Sequence, residues 1–325
     1  MTRDLTVKKK FDLSKFLVSW EMILVYILIF INIILMLTKP NLYFSSGTIT
    51  SIIQSGMDLS FMVLGMIFIL MIGDIDVSTA STMIACAMTT GLIFQSGAGA
   101  FFAILGGLLT GILCGAINGT LVALCKMPSV IVTIATSLVF RGIVRIILDV
   151  NVLKSYPSWL SKLSWGNIFG IPFSLIIFIL ASIGFAICLH KSRFGRKLYM
   201  IGNSTEVSRY SGIRVKTIKI IVFIIMGIMA FVSSLFFIGR MGSISSDMGI
   251  GYELNVIAIA VLGGISTNGG KGRVYGCIIS TLIIAFLNYS LGLLGIESNT
   301  RTIVVGLILI IAVLISNIKL KASKA

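Results

Sequence analysis

Residues 170–189 read GIPFSLIIFILASIGFAICL, a run of 20 residues without one Asp, Glu, Lys or Arg. Coiled as an α-helix at 1.5 Å per residue, such a run spans about 30 Å, the thickness of a bilayer's hydrocarbon core. It is one of a series. Comparable apolar stretches cover 17–37, 52–73, 76–97, 101–125, 129–149, 218–240, 252–268, 274–295 and 301–318, and Gly, Pro or charged residues mark most of the breaks. Of the 325 residues, 57% are hydrophobic and 11% charged, where a water-soluble domain has about 45–50% and about 25%. No soluble fold of this size hides that much apolar surface. Lipid offers the backbone no hydrogen-bond partners, so only helices or a closed barrel can cross it. The runs are continuous rather than alternating, which selects helices. The expected fold is an all-α polytopic membrane protein of about ten transmembrane helices.

Working outward, residues 1–16 form a basic N-terminal segment, 17–318 the transmembrane region, and 319–325 a short tail. The first run is span-length and ends at Thr38-Lys39-Pro40, which fits a retained helix rather than a cleaved signal. The formal net charge is +15. Its basic residues cluster at the termini and in 190–219, the distribution of cytoplasmic segments facing anionic lipid rather than of a nucleic-acid-binding surface. With ten spans, both termini lie in the cytoplasm. The segment 149–169, carrying Tyr156, Trp159 and Trp165, is expected to run along the outer surface. The span 76–97 is the least regular, rich in Ser, Thr and Ala, and reads as a broken or partly buried helix.

Little catalytic chemistry is on offer. The cysteines Cys86, Cys114, Cys125, Cys188 and Cys277 lie in or beside apolar runs without a CxxC pair, and His190 is the single histidine, so neither a metal site nor another cofactor site is expected. A nucleophile beside a base is likewise missing, and no catalytic residue is assigned. The stretch Gly263–Gly272 resembles a phosphate loop superficially. A Walker A motif needs Gly where Ile265 stands and Ser or Thr where Gly272 stands. A tight glycine turn between packed helices is the reading that remains, and the chain carries no ATPase site of its own. Gly73-Asp74-Ile75-Asp76 faintly echoes Gly263-Gly264-Ile265-Ser266, as internal repeats of permeases do.

Ionisable residues inside spans are functional candidates by default. Asp74 and Asp76 either couple an ion or cap the helix that follows. Arg141 and Arg145 are one helical turn apart; they pair or snorkel, or they line a polar path. Glu21 and Asp58 are the other ionisable residues within spans. Small polar residues such as Asn118, Thr133, Ser233, Thr281 and Asn288 serve helix packing singly, and together suit a neutral polyhydroxy solute. The solute-path candidates are Asp76, Asn118, Thr133, Arg141 and Asn288.

Several of these segments resemble, in order, the signatures of ribose-type sugar ABC importer permeases. Gly73-Asp74-Ile75-Asp76-Val77-Ser78 is similar to their Gly-Gly-Ile-Asp-Leu-Ser, with Asp74 in place of the second Gly. Gly115-Ala116-Ile117-Asn118-Gly119, Pro128–Thr133 followed by Arg141-Gly142, and Val261–Ser266 resemble further motifs. Phe194-Gly195-Arg196, Gly202-Asn203 and Ser211-Gly212 resemble the family's long cytoplasmic loop. Phe94–Gly97, Tyr210-Ser211 and Ser246-Asp247 are closer to autoinducer-2 import permeases, with rhamnose-type permeases also similar. The resemblance implies a bacterial inner-membrane permease of the ABC importer fold. It also implies a second permease chain, like or unlike, two cytoplasmic ABC ATPase subunits and an extracytoplasmic solute-binding protein. The ATPase-coupling loop it implies contains Phe194, Gly195, Arg196, Gly202, Asn203, Ser204, Glu206, Ser211 and Gly212. Asn203-Ser204-Thr205-Glu206 fits the start of a short docking helix there. The competing reading is an ion-coupled secondary transporter or channel built on Asp74, Asp76 and Arg141.

Overall fold

A computed structural model describes residues 20–310, apart from 46, 155, 298, 299, 305, 308 and 309. The N-terminal segment 1–16, the Glu21 side chain, residues 311–318 of the last expected span and the tail 319–325 lie outside the described residues. The chain is a bundle of α1 (Trp20–Thr38), α2 (Pro40–Tyr43), α3 (Thr48–Met71), α4 (Thr79–Gln95), α5 (Gly99–Ala123), α6 (Ser129–Leu148), α7 (Trp159–Trp165), α8 (Phe173–Lys191), α9 (Arg193–Asn203), α10 (Thr205–Tyr210), α11 (Val215–Met241), α12 (Tyr252–Leu262) and α13 (Val274–Leu293). A hairpin of β1 (Asn167–Ile168) and β2 (Ile171–Pro172) follows α7.

Among the described residues six helices, α3, α5, α6, α8, α11 and α13, are long and apolar enough to cross a bilayer, which makes the chain a polytopic membrane protein. α3 is the hub. Of its apolar stretch, 89% is buried in protein, against 28% in α5, α6 and α8, whose outer faces are left for lipid. Phe61 of α3 stacks on Phe236 of α11 at 4.6 Å and meets Phe178 of α8 edge-on. α5 crosses α11 on a stripe of glycines, Gly107, Gly111, Gly115 and Gly119, set against Gly227 and Phe223. Small residues at such a seam let two backbones touch, which is how helices gain dispersion energy where lipid supplies no hydrophobic drive.

Two segments interrupt the helical pattern. Between α3 and α4 the backbone is non-helical over 74–78, and between α11 and α12 over 242–251. The span expected at 76–97 is therefore a 17-residue helix with a non-helical entry, largely enclosed by protein. The expectation of a span over 252–268 is corrected: α12 ends at Leu262 after 11 residues, about 16 Å, too short to cross alone. Gly263 and Gly264 stop it, and the chain then turns through Gly269 and Gly270 at positive φ. The segment 149–169 packs on the end of α11. Ser164 Oγ donates to Phe236 O (2.9 Å), and Gln54 Nε2 of α3 donates to Trp165 O and Asn167 Oδ1 (both 3.1 Å).

Candidate functional site

α6 braces both interruptions. At its start, Ile75 N donates to Ser129 Oγ (3.2 Å) and Val77 N to Thr133 Oγ1 (3.1 Å). Toward its other end, Arg141 Nη1 donates to the carbonyls of Ser246 (2.8 Å) and Met248 (3.0 Å). Non-helical backbone survives at membrane depth only where protein satisfies it, and α6 supplies those partners. The exposed Arg145–Asp247 pair (2.9 Å) adds little by comparison.

A chain of hydrogen bonds ties the first interruption to α5. Asn118 Nδ2 donates to Ser78 Oγ (2.7 Å), and Ser78 donates from its hydroxyl (2.6 Å) and its N–H (2.8 Å) to Asp76 Oδ1. Asp74 faces elsewhere, in an ion pair with Lys219 Nζ (2.6 Å). The two aspartates thus point at different partners. Asp76→Asn is expected to leave thermal stability in detergent close to wild type, because an amide oxygen still accepts both Ser78 bonds. Asp76→Ala strands a buried N–H and should cost about 1–3 kcal/mol. Equal losses in the two variants would show that the charge itself is required.

The structure does not bring the five solute-path candidates into one lining. Asp76 and Asn118 meet through Ser78, Thr133 and Arg141 are committed to backbone groups, and Asn288 lies apart on α13. There it borders an open cavity of about 290 Å³ with Ser55, Arg240, Tyr252, Asn255 and Tyr289. A smaller cavity of about 30 Å³ adjoins it, sharing Ser55 and Asn288 and reaching Thr281. At the edge of the larger cavity Arg240 Nη2 and Nε meet Asp58 Oδ2 (2.6 and 3.2 Å), and Tyr252 OH stands 3.5 Å from the same oxygen. This triad was not anticipated. Opposite charges inside apolar runs were the available signal.

At the opposite end, the segment 190–219, expected as a loop with one short helix, is largely helical. α9 lies on the bundle, with Phe194 against Phe68 (5.9 Å) and Gly195 buried. Gly202 is pressed so closely on Met71 O and Gly270 N that a Cβ there has no room. Tyr199 OH donates to Gly272 O (2.8 Å), and burial pushes its phenol above the ordinary pKa, so this donor proton persists at neutral pH. The glycine turn 263–272 is thus gripped between the end of α3, through Gly270 N to Met71 O (2.9 Å), and α9. Ser204 caps the short helix α10, accepting from Val207 N (3.3 Å), with Glu206 in its first turn. Arg196, Asn203, Glu206, Ser211 and Gly212 remain exposed, together with the apolar Val207 (61%) and Tyr210 (83%).

Comparison with known proteins fits this arrangement. A family model described as the branched-chain amino acid transport system / permease component matches residues 48–313. The autoinducer 2 import system permease protein LsrC of Photorhabdus luminescens is 34% identical over 284 residues, 86% of this chain and 85% of that protein. The ribose import permease protein RbsC of Escherichia coli K12 is 31% identical over 300 residues, 91% and 93% of the two chains. The D-allose transport system permease protein AlsC of the same organism is 30% identical over 276 residues, 85% of each. No solved structure matches. The likeness to ribose-type permeases read from the motifs is therefore borne out along most of the chain, and the protein belongs to the branched-chain amino acid transport system / permease component family.

Proposed function

We propose that this chain is the permease subunit of an ATP-driven importer of a sugar or sugar-like solute in a bacterial inner membrane. The α9 end faces the cytoplasm, as do both termini. That end carries Lys191, Arg193, Arg196, Lys197, Arg209, Arg214 and Lys216, whereas the α7 end carries Lys39, Lys154 and Lys162 with Arg145, Arg240 and Arg301 at its boundary, a contrast that follows the positive-inside rule. The domain division is a basic cytoplasmic segment 1–16, a permease region 17–318 with its coupling segment 190–219, and a cytoplasmic tail 319–325.

The observation that carries the reading is the seating of α9–α10. One side of this pair grips the glycine turn and the end of the hub helix, and the other presents Val207 and Tyr210 among charged residues. A rigid element held in this way passes displacement by a docked subunit to the bundle as a body movement. Separate ABC ATPase subunits dock there, a second permease chain completes the pathway, and an extracytoplasmic binding protein delivers the solute. The solute enters by the cavity at Asn288, whose amides and hydroxyls suit a neutral polyhydroxy compound. The relatives are named for ribose, autoinducer 2 and allose, so the solute is of that class, with autoinducer 2 and rhamnose among the options.

The test is uptake by the reconstituted complex with its ATPase and binding protein. Tyr210→Ala combined with Val207→Asp is expected to lower ATP-driven uptake at least about tenfold while leaving the amount of inserted permease unchanged; a loss of about 1.4 kcal/mol at an interface suffices for that factor. Charge reversal at Arg196 or Glu206 should act in the same direction. Wild-type uptake by all of these variants would remove the coupling role. Uptake that stops when an uncoupler collapses the ion gradient, with ATP maintained, would favour the ion-coupled reading instead.

A further inference from the structure

α8 and α11 both pack on α3 and leave a groove between them. It is about 440 Å³ in volume and apolar throughout, floored by Phe68 and walled by Gly184, Phe185 and Cys188 on one side and Ile225 and Met229 on the other. Gly184 opens it: a Cβ built there meets nothing within 4 Å. The groove lies in the half of the bundle next to α9, because Cys188 is one turn from the end of α8 and Ile225 lies in the first half of α11.

Helical periodicity places charge at the mouth. Lys191 is seven residues beyond Gly184, about 700° of rotation, so the two share a face of α8. Arg214, the residue capping α11, is eleven residues before Ile225, about 1100°, and continues the face that lines the groove. Both basic residues are exposed. An apolar slot ending at two cations complements one class of membrane component, an amphiphile with acyl chains and an anionic head. A second protein helix would need an acidic end in register with both cations.

We infer that the groove between α8 and α11 holds an anionic glycerophospholipid of the cytoplasmic leaflet, its acyl chain against Gly184 and Phe68 and its phosphate near Lys191 and Arg214. Only the choice of leaflet rests on the orientation proposed above. The occupied groove splints α8 to α11, two helices that are otherwise linked through α3 and α7.

The experiment is native mass spectrometry of the full-length protein extracted with an equimolar mixture of phosphatidylglycerol and phosphatidylcholine. Wild type should retain phosphatidylglycerol in preference. Gly184→Leu, which fills the slot without displacing a neighbour, should abolish that retention. Lys191→Gln and Arg214→Gln should each lower the phosphatidylglycerol preference about fivefold while total lipid retained stays constant. Equal retention of the two lipids by wild type would overturn the inference. So would unchanged retention in Gly184→Leu, or a Gly184→Leu protein that loses its permease partner rather than its lipid. The readout needs neither ATPase nor solute, so its failure is distinct from failure of the transport reading.

Discussion

Replacing Gly115 with leucine is expected to prevent recovery of folded protein. At the α5–α11 seam a Cβ on Gly115 falls well inside van der Waals contact distance of Phe223 O and Ile224 Cα, which are backbone atoms. Overpacking usually costs about 1–3 kcal/mol because side chains shift to new rotamers. Here no rotamer can relieve the clash, so the helices must separate and the whole glycine stripe loses its contact. Gly111, Gly119 and Gly227 meet backbone across the same seam, so no neighbouring contact can compensate. A membrane protein that is stable by about 5–15 kcal/mol has little margin for such a change. The check is the monodisperse fraction after detergent extraction. Gly142→Ala is the control: it lies in α6 where an added Cβ meets nothing within 4 Å, and helix propensity predicts a gain of up to about 1 kcal/mol. Equal recovery of Gly115→Leu and Gly142→Ala would show that the seam is not as tight as described.

The motif Gly115-Ala116-Ile117-Asn118-Gly119 illustrates what the sequence could and could not convey. Its apolar surroundings gave a span at 101–125, within two residues of the observed Gly99–Ala123 at each end, because bilayer thickness fixes the length of such a helix. That its glycines touch α11 and its asparagine reaches Ser78 depends on partners 40 to 109 residues away, which no local pattern encodes. The same limit explains α12. No charged residue interrupts 263–268, so a window of span length runs on to 268, yet the helix stops at the first of two glycines. Arg141 was legible as an ionisable residue in a span. Its role was not, since its partners are two carbonyls more than 100 residues on. In the coupling segment the capping sequence Ser204-Thr205-Glu206 is a local signal and the helix it starts is present. The inward packing of Phe194 and Gly202 depends on α3 and the distant glycine turn, partners that no local pattern in 190–219 encodes.

Removing the Asp58 carboxylate should be the most damaging single charge change. Asp58 has 1% of its side chain exposed and holds Arg240, 19% exposed, at 2.6 Å. Asp58→Ala leaves the guanidinium at the cavity edge beside Tyr252 OH (3.2 Å); breaking a fully buried pair costs about 3–5 kcal/mol, and the open cavity beside Arg240 makes that the upper bound. Asp58→Asn keeps an acceptor oxygen and should fall between wild type and alanine. The double variant Asp58→Leu with Arg240→Met removes both charges and is expected to recover most of the stability, because replacing an intact buried pair by apolar residues is often neutral. Thermal unfolding in detergent reports all three. Failure of the double variant to outperform Asp58→Ala would mean that the pair is not the unit whose loss matters. Uptake then separates structure from function. Arg240 and Tyr252 line the cavity that contains Asn288, so a stable double variant that imports normally reduces the pair to a strut. A stable double variant that binds its ATPase and no longer imports places the Arg240 guanidinium on the solute's route, where a fixed donor fork can engage vicinal hydroxyls that a lysine in its place would hold less well.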